Sequence, residues 1–478
     1  MKAARSYPVR KLLFAAFTAG YAVACPLLIR SALGYIIQPS SEELRRTGGI
    51  FVASMPPGAT LSFDGKPYPR KTPIVVLQLR PGSYRVRLDL DGYRPWEERI
   101  SVTPGRVTSL DSLLLAPVQR TFAEVASDWF LNMIPAPGYP YVVLQKGARA
   151  QDLVVFDIPN RRFISVIDRE FPLRDAPVVA CLTIEGSVNF LLKIGSRASP
   201  RILRVRIQWP RPQLQELTEM LPAPLEDPQW TAENPEDVFS YNGSSVDHTN
   251  VQSGTVTRGI VTQVSGYGLD GHWLYAITWR RGLLRFDFGQ QTRQDLSQFD
   301  RAVADFPMGR FVSVRPLEAD LILLWGEGGQ FTAAGPASRA SAAAVRGYQV
   351  DSRTGRVLLW QDHRLAIFDR KATGSAPALE WLRLYARDIQ QACFVLTNTH
   401  VLYRDGNSIF LASRIQNNEW RVRPIVTVRL GTSVYYTERE GKLYYINPET
   451  GRLFTTEIVP RQQILEQIVQ QLRQASGH

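Results

Sequence analysis

Cysteines, histidines and catalytic motifs are scarce in this chain of 478 residues. Its three cysteines, one of them Cys25, are too few and too far apart for a disulfide framework or a cysteine-rich metal site, and at most Cys181 pairs with Cys393. The five histidines stand alone, without an HExxH or His-x-His pattern. Neither a GxxxxGK(S/T) phosphate loop nor a GxSxG elbow occurs. We therefore expect no catalytic residues, no bound metal and no cofactor, and the sequence favours a protein that is not an enzyme.

Concentrated basic charge, which nucleic-acid-binding domains carry, is also missing. The formal net charge is +12, but residues 1–40 hold five basic residues and no acid, which leaves only +7 for the rest of the chain. This distribution excludes a strong nucleic-acid footprint. Apolar residues make up 44% of the chain and charged residues 21%, so the chain can bury more than one core.

An uncharged stretch over residues 12–29 follows Arg10 and Lys11, and the apolar character resumes after Arg30 as far as Ile37. A helix of about 20 apolar residues crosses a bilayer, and positive charge before it stays in the cytoplasm. The sequence thus predicts a cytoplasmic tail over 1–11, a single-pass anchor in the inner, cytoplasmic membrane over 12–37 and a stalk over 38–47. The bulk of the chain would lie in the periplasm or at the cell surface.

Two other interpretations of the N-terminus stay open. Ala22-Val23-Ala24 has the small-x-small form of a signal-peptidase site, and Cys25 stands where a lipoprotein carries its acceptor cysteine. The segment would then be cleaved or lipidated. Alternatively, it is a buried helix of a soluble domain.

Residues 48–117 alternate short apolar runs with turn residues, which predicts a small all-β module. Strands are expected over 50–55, 60–63 and 75–79, and Asp64-Gly65 suits a tight hairpin. Residues 84–90 alternate polar and apolar side chains strictly, so one face of this strand is expected to be buried.

Turn residues and a Thr-Pro pair recur through this module in a fixed order. They are Pro57, Gly58, Ala59, Asp64, Gly65, Thr72, Pro73, Gly82, Gly92 and Tyr93. On these residues the stretch of about 48–116 resembles a PEGA domain, a family named for a Pro-Glu-Gly-Ala motif, although Pro57 stands here in the position of the Glu. The resemblance implies a small β-sandwich that accompanies bacterial envelope and surface proteins and has no chemistry of its own.

The same motif residues have structural reasons to be present. The glycines serve turns, Pro73 fixes φ at the start of a strand, and Tyr93 and Trp96 are expected to fill the sandwich core. We interpret them as determinants of the fold and not as ligand-binding residues. Stacking of Tyr93 and Trp96 on a glycan is the alternative.

From residue 118 to 459 the chain offers short strand-like runs and a weak repeat. Similar strands occur at 153–157, 283–287, 365–369 and 443–447, and their spacings are multiples of about 40 residues, the length of one four-stranded propeller blade. Further units fit at 201–207, 321–325 and 408–413, whereas 226–257 reads as an irregular blade or an insertion. The region resembles β-propellers in pattern and predicts about seven blades, with six or eight as alternatives. Two stacked β-sandwiches are the competing fold.

Two local features of this region invite a functional interpretation. Residues 212–257 hold eight acids and no Lys or Arg, which predicts a solvated loop or, alternatively, a site for a cation or basic partner. The pairs Trp273/Trp279 and Trp325/Trp360 are expected to pack within or between blades, although a propeller mouth lined by aromatics would also hold sugar rings.

Residues 460–478 form the last element, a predicted amphipathic helix. Its apolar stripe consists of Ile464, Leu465, Ile468, Val469 and Leu472. The helix is expected to dock on its own domain or, alternatively, to bind a partner.

The sequence therefore predicts a mainly β protein with an anchor, a PEGA-like sandwich, a propeller and a terminal helix. The leading functional hypothesis is a non-catalytic scaffold that binds an envelope protein through its propeller, with the membrane as its second partner. A glycan-binding module is one alternative, and an enzyme that uses carboxylates from several blades is another.

Overall fold

The computed structural model describes residues 7–32, 35–37, 44–136, 139–168, 170–183, 187–221, 225–231, 233–306, 309–318, 321–335, 339–351, 354–369, 379–382, 384–396, 399–415 and 419–460. They form two compact units. The first takes its described residues from Met1–Arg120, Ile415–Asn417 and Val459–His478, and the second takes them from Thr121–Arg414 and Asn418–Ile458. The predicted C-terminal helix falls beyond Pro460 and thus lies outside the described residues.

The first unit begins with a helix over Tyr7–Ala32, followed by an antiparallel pair of short strands, Tyr35–Ile37 and Leu44–Arg46. The predicted anchor extends to Ile37, but the helix ends at Ala32, and Tyr35–Ile37 is a strand. Within the part of the chain that the structure describes, no helix combines the length and the apolarity needed to cross a membrane.

Residues 48–114 fold into a sandwich of two sheets. The first sheet has the strand order Ile74–Leu79, Gly48–Met55, Val107–Leu114, and its last two strands are parallel. The second sheet is antiparallel, with the order Lys66–Lys71, Thr60–Phe63, Gly82–Asp89, Trp96–Val102. Alternate residues of both sheets, among them Ile50, Leu61 and Val86, face inward and are fully buried.

The motif residues of the sandwich lie at its turns and in its core. Asp64 and Gly65 form a two-residue hairpin with φ of 47° and 81°, the left-handed conformation that a tight hairpin of this kind requires. The Asp64 carboxylate also accepts a hydrogen bond from the Arg85 backbone N–H at 2.8 Å. Trp96 is buried and Tyr93 packs against the same core. These positions match a role in shaping the fold.

Thr72 is buried at the centre of a chain of hydrogen bonds. The Ala59 backbone N–H donates to Thr72 Oγ1 at 3.0 Å, Thr72 Oγ1 lies 2.6 Å from Ser54 Oγ, and Ser54 Oγ lies 2.6 Å from the Pro56 carbonyl oxygen. Because a carbonyl only accepts, Ser54 donates to Pro56 and Thr72 donates to Ser54. Each of the two hydroxyl groups thus donates one hydrogen bond and accepts one, and every donor in this series of hydrogen bonds has a partner.

Replacement of Thr72 by Val keeps the shape of the side chain but leaves the buried Ala59 N–H unpaired. We expect Thr72→Val to lower the free energy of unfolding of the sandwich by about 1–3 kcal/mol, as measured by urea unfolding. Thr72→Ser keeps the hydroxyl and serves as the control, with a smaller loss. Equal midpoints for the Val variant and the wild type would contradict the assigned hydrogen-bond chain.

The described part of the second unit contains eight four-stranded antiparallel sheets, which we number as blades 1–8. The strands of each blade are given in order from first to fourth. Blade 1 is Asn132–Pro135, Tyr141–Gln145, Leu153–Asp157 and Arg162–Ser165; blade 2 is Val178–Thr183, Asn189–Gly195, Pro200–Arg206 and Gln213–Glu216; blade 3 is Glu226–Gln229, Asp237–Tyr241, Ser245–Asn250 and Thr255–Thr262; blade 4 is Val264–Asp270, Trp273–Thr278, Leu283–Asp287 and Thr292–Asp295. Blade 5 is Phe311–Glu318, Leu321–Gly326, Phe331–Ala334 and Arg339–Ala342; blade 6 is Gly347–Val350, Val357–Trp360, Leu365–Phe368 and Leu379–Trp381; blade 7 is Ile389–Val395, His400–Asp405, Ser408–Arg414 and Trp420–Thr427; blade 8 is Tyr435–Thr437, Lys442–Ile446, Arg452–Glu457 and Phe122–Trp129. Short helices lie at Ala150–Asp152, Ser297–Phe299 and Asp300–Ala304.

Blade 8 joins the two ends of the second unit. Its first three strands come from the end of the unit, whereas its fourth strand, Phe122–Trp129, comes from the beginning and pairs with Arg452–Glu457. This pairing connects residues more than 300 positions apart in sequence, as the 3.1 Å ion pair between Arg452 and Glu124 illustrates. Hydrogen bonds thus close the ring.

Each blade buries both of its faces against its neighbours. In the second strand of blade 1, Val142 and Leu144 pack toward Tyr444 of blade 8, whereas Val143 packs toward Leu192 of blade 2. Similar apolar clusters join blades 2 to 7 in chain order. This two-sided burial explains why second strands such as Tyr141–Gln145 and Leu321–Gly326 are nearly continuous apolar runs and do not alternate.

Of the blade numbers that the sequence allowed, the favoured count of seven is wrong and the alternative of eight is confirmed, because the described residues form eight blades. The recurrent strands at 153–157, 283–287 and 365–369 are the third strands of blades 1, 4 and 6, whereas the one at 443–447 coincides with the second strand of blade 8. Residues 226–257, interpreted from the sequence as an irregular blade or an insertion, belong to blade 3, which has four strands but register shifts between Glu226 and Gln229 and between Val246 and His248. The ring of blades also excludes the alternative of two stacked sandwiches.

Candidate functional site

The first strand of each blade is the inner one, and two glycines of blade 4 show how closely inner strands approach. A Cβ at Gly266 would lie 2.4 Å from Phe311 Cβ, and a Cβ at Gly268 would lie 1.7 Å from the Val314 carbonyl oxygen. Glycine within a strand marks such a close approach of two backbones. The inner strands of blades 4 and 5 therefore touch without intervening side chains.

A cavity of about 810 Å³ lies among the inner strands of blades 2–6. Its charged lining residues are Lys193, Asp227, Glu233, Asp270 and Arg315. Five blades contribute residues to the lining of the cavity, and these residues extend in sequence from Leu182 to Val350. A concave site of this size, with a few convergent polar groups, is the usual form of a binding pocket.

Asp227 is the most perturbed carboxylate of the cavity. Its side chain accepts a hydrogen bond from Gln229 Nε2 at 3.0 Å, and its backbone has φ of 44°. Burial raises the pKa of this carboxyl above its ordinary value, although Gln229 and the charge of Arg310 act against the rise. The fully buried Tyr267 hydroxyl binds the backbone carbonyl of Asp227 and so fixes the strand beneath it.

Glu233 and Asp270 lie on adjacent blades, are exposed and have no hydrogen-bond or ion-pair partner among the described residues. The Glu233 carboxylate sits beside Gly271, where a Cβ would lie 3.1 Å from Glu233 Oε2. Lys193, by contrast, is occupied: its Nζ donates to the Leu225 carbonyl at 3.0 Å, and burial lowers its pKa. The two exposed carboxylates are therefore the charges of the cavity most accessible to a ligand.

Aromatic and hydroxyl groups of the cavity wall are fixed by hydrogen bonds. The buried Trp230 indole N–H donates to Ser187 Oγ at 2.9 Å, and the Tyr348 and Ser313 hydroxyls lie 2.6 Å apart. Neither ring is an open stacking surface, because Trp230 is only 4% exposed and Tyr348 is half-buried. The wall is thus polar and preorganised. Among the described residues, no group of three or more His, Cys, Asp or Glu could hold a metal ion.

Gly268 offers a direct test of the inner-strand packing that shapes the cavity. We expect Gly268→Ala to lower the free energy of unfolding by about 1–3 kcal/mol, because the new methyl group meets backbone that cannot rotate away. Gly282→Ala in the same blade is the control, since its Cβ would lie 3.6 Å from Thr278 Oγ1, an ordinary contact. The measurement is the midpoint of urea unfolding for both variants. A Gly268→Ala protein that is as stable as the Gly282→Ala control would contradict the close contact between the inner strands of blades 4 and 5.

The acidic stretch 212–257, predicted as a solvated loop, is instead part of blades 2 and 3, and three of its eight acids, Glu216, Glu226 and Glu236, pair with arginines outside the stretch. Glu236 binds Arg204 through two hydrogen bonds, one of them 2.8 Å long, and this pairing lowers the pKa of the Glu236 carboxyl. Glu226 pairs with Arg310 at 2.9 Å. The stretch needs no basic residue of its own because neighbouring strands and blades supply the arginines.

The two cysteines of the blades are not linked to each other, and three of the four paired tryptophans pack in the core. Cys181 and Cys393 are both free thiols on different blades, which excludes the pairing allowed by the sequence, and burial raises the pKa of each to about 12. Trp273, Trp325 and Trp360 pack against interblade clusters as expected. Trp279 differs, because it is 57% exposed in a turn of blade 4.

His400 is the most deeply buried of the described histidines. Its Nδ1 lies 2.8 Å from Thr399 Oγ1, and its Nε2 has no hydrogen-bond partner within the described structure. Burial, with a smaller contribution from the charge of Arg423, lowers the pKa of His400 to about 3. The imidazole is therefore neutral in the folded protein at every pH near neutrality.

This burial predicts acid sensitivity. The unfolded chain takes up the His400 proton near pH 6.5 and the folded chain only near pH 3, so the free energy of unfolding should fall by about 1.4 kcal/mol per pH unit between them. His400→Gln should remove this part of the slope in urea titrations at pH 7 and 4.5. The exposed His363→Gln should keep the slope of the wild type. Parallel slopes for wild type and His400→Gln would contradict the prediction.

Sequence reasoning does not single out the charged residues of the cavity. Asp227 and Glu233 stand out only as members of the acidic stretch 212–257, and nothing local marks Lys193, Asp270 or Arg315. The one available signal was the pair Gly266 and Gly268 inside a strand, since alternating strand glycines indicate close contact with another backbone. The motif residues of the sandwich belong to the other unit, and none of them lines this cavity.

Comparison with known families confirms the resemblance seen in the sandwich. Residues 47–115 match the PEGA domain family, within one residue of the range expected at each end. No curated protein sequence matches the chain.

Solved structures with similar folds are propeller-like. The chain resembles PorZ, a surface component of the type-IX secretion system of Porphyromonas gingivalis (12% identity, 68% of this chain and 42% of that chain, TM-score 0.38). It also resembles Sqt1 of Saccharomyces cerevisiae (10% identity, 71% of this chain and 98% of that chain, TM-score 0.44). A third similar structure is the extracellular domain of a hybrid two-component system of B. thetaiotaomicron (12% identity, 72% of this chain and 42% of that chain, TM-score 0.37). The chain thus spans about two fifths of the first and third of these proteins.

Proposed function

We propose that this protein is a non-catalytic binding scaffold whose propeller holds a segment of a partner protein in the cavity of blades 2–6. The observation that supports this function most is the cavity itself: about 810 Å³, polar, and shaped by side chains that other residues already hold in place. Preorganised walls lower the entropy cost of binding and suit recognition.

The electrostatics of the cavity favour a partner that inserts a basic side chain. Glu233 and Asp270 are exposed and unpaired within the described structure, whereas Lys193 already donates to a backbone carbonyl. An incoming Lys or Arg would meet two carboxylates at the boundary between blades 3 and 4. A glycan is less favoured, since no lining aromatic among the described residues offers an open face.

The proposed site of action is the bacterial envelope, with the bulk of the chain outside the cytoplasm and the N-terminal segment held by the membrane. This location rests on the uncharged stretch 12–29 behind Arg10 and Lys11 and on the resemblance of the sandwich to an envelope-associated family. The partner would then be an envelope protein.

Neutralisation of the two carboxylates tests the cavity as the binding site. We expect Glu233→Gln with Asp270→Asn to reduce capture of the envelope partner from crosslinked cells about tenfold or more, because both attractive charges are lost while the shape is kept. Glu449→Gln, an exposed acid in a turn of blade 8, is the matched control and should capture as the wild type does.

Mass spectrometry of the captured material measures the result. Equal recovery of the same protein by the double variant and the control would place the binding site elsewhere. Recovery of polysaccharide alone would replace the scaffold function with glycan binding, and turnover of that polysaccharide would indicate a carboxylate enzyme.

A further inference from the structure

Two arginines lie directly opposite each other on the outer face of the second sheet of the sandwich. Val86 and Ile100 are fully buried, so their strand neighbours Arg85 and Arg99 point away from the core. In the antiparallel pairing of these strands, Arg85 is the direct partner of Arg99. Like charges in such positions repel each other, because their Cβ atoms are only about 5 Å apart. The pair therefore costs stability unless a negative group lies between the two guanidinium groups.

The carboxylates beside this pair do not neutralise Arg99. Asp89 accepts two hydrogen bonds of 2.8 Å from Arg87. Glu97 is shared between two arginines and lies 3.5 Å from Arg85 and 3.6 Å from Arg87. Arg99 is exposed and has no hydrogen-bond or ion-pair partner among the described residues. One guanidinium group of this face is thus available to a ligand.

A cavity of about 550 Å³ opens over the arginine pair. Three arginines and two carboxylates line it, which leaves one net positive charge; the lining consists of Ser62, Asp64, Gly65, Ser83, Arg85, Arg87, Glu97 and Arg99. The Asp64 carboxylate is already occupied, since it accepts the Arg85 backbone N–H at 2.8 Å. Within the described structure, the hydroxyls of Ser62 and Ser83 have no hydrogen-bond partner. Guanidinium and hydroxyl donors therefore surround one common space.

The donors of this cavity match a phosphate group. Arginine binds phosphate oxygens through two parallel N–H groups, and such charge-assisted hydrogen bonds are about twice as strong as neutral ones. A phosphate between Arg85 and Arg99 would replace their mutual repulsion with two attractions, and a serine hydroxyl would bind a further oxygen. A carboxylate has only two oxygens and serves fewer of these donors.

We propose that this cavity binds a phosphate group between Arg85 and Arg99, with the hydroxyls of Ser62 and Ser83 as additional donors. The phosphate belongs to a lipid headgroup or to a soluble compound, since both present the same oxygens. The proposal does not depend on the function proposed for the propeller, because every residue of this cavity belongs to the other unit.

Titration of the full chain with inorganic phosphate tests the site, and phosphorus NMR measures the dissociation constant. We expect Arg99→Gln to weaken binding about tenfold, because the variant loses a charge-assisted, bidentate contact. Arg70→Gln is the matched control, since Arg70 is an exposed arginine of the same sheet outside the cavity. The control should bind phosphate as the wild type does. Equal dissociation constants for the wild type and Arg99→Gln would overturn the proposal.

Urea unfolding gives a second measurement that depends on the same site. Phosphate that binds only the folded sandwich should raise the unfolding midpoint of the wild type and of Arg70→Gln. The midpoint of Arg99→Gln should rise less at the same ionic strength. Equal rises for all three proteins would show a general salt effect and would overturn the proposal.

Vesicles distinguish the two sources of the phosphate. The quantity measured is the additional flotation of the full chain when phosphatidylglycerol is added to phosphatidylcholine vesicles. A loss of this flotation in Arg99→Gln, but not in Arg70→Gln, would assign the cavity to lipid headgroups. Unchanged flotation together with weaker binding of inorganic phosphate would assign it to a soluble phosphate compound. Reduced flotation without weaker binding of inorganic phosphate would indicate attraction by surface charge alone and would overturn the proposal.

Discussion

The fold depends on the need of every blade to bury two apolar faces at once. Consecutive residues of one strand, such as Val142 and Val143, serve two different interblade cores. No blade can satisfy both faces alone, so the sheets assemble in a ring. The ring in turn requires closure, which the pairing of Phe122–Trp129 with Arg452–Glu457 provides. The first strands of blades 2–6 surround the cavity within this ring.

Two-sided burial also decides how much of the fold can be predicted from the sequence. Strands such as 153–157 and 283–287 are apolar enough to reveal a period of about 40 residues. Blade 3 hides the same period, because buried polar residues such as Asp247 and Thr249 take core positions and acids of its strands bind arginines of other blades. In the sequence these residues show only acids without nearby basic residues, so they are not recognised as strands. The predicted number of blades is therefore one too low.

The cavity lay beyond prediction for a different reason. Lys193, Asp227 and Arg315 are separated by more than 30 residues from one another, and only the rotation from blade to blade brings them together. Local sequence carries no information about that rotation. The sandwich is the opposite case: its hairpin at Asp64 and Gly65 and its alternating strand at 84–90 are set by neighbouring residues, so they were predictable and the family match agrees with them.

The two outer faces of the sandwich show that one family fold can carry two surfaces of different chemistry. Ion pairs among Arg85, Arg87 and Glu97 make one face compatible with water on its own. The other face exposes Val75 and Leu77, and burying them against a second element would remove apolar area from water at about 25 cal/mol per Å². Because exposure of that face carries a free-energy cost while exposure of the charged face does not, any element that packs on the sandwich should choose the apolar side. The two faces of the sandwich therefore differ in the kind of surface that they can bind.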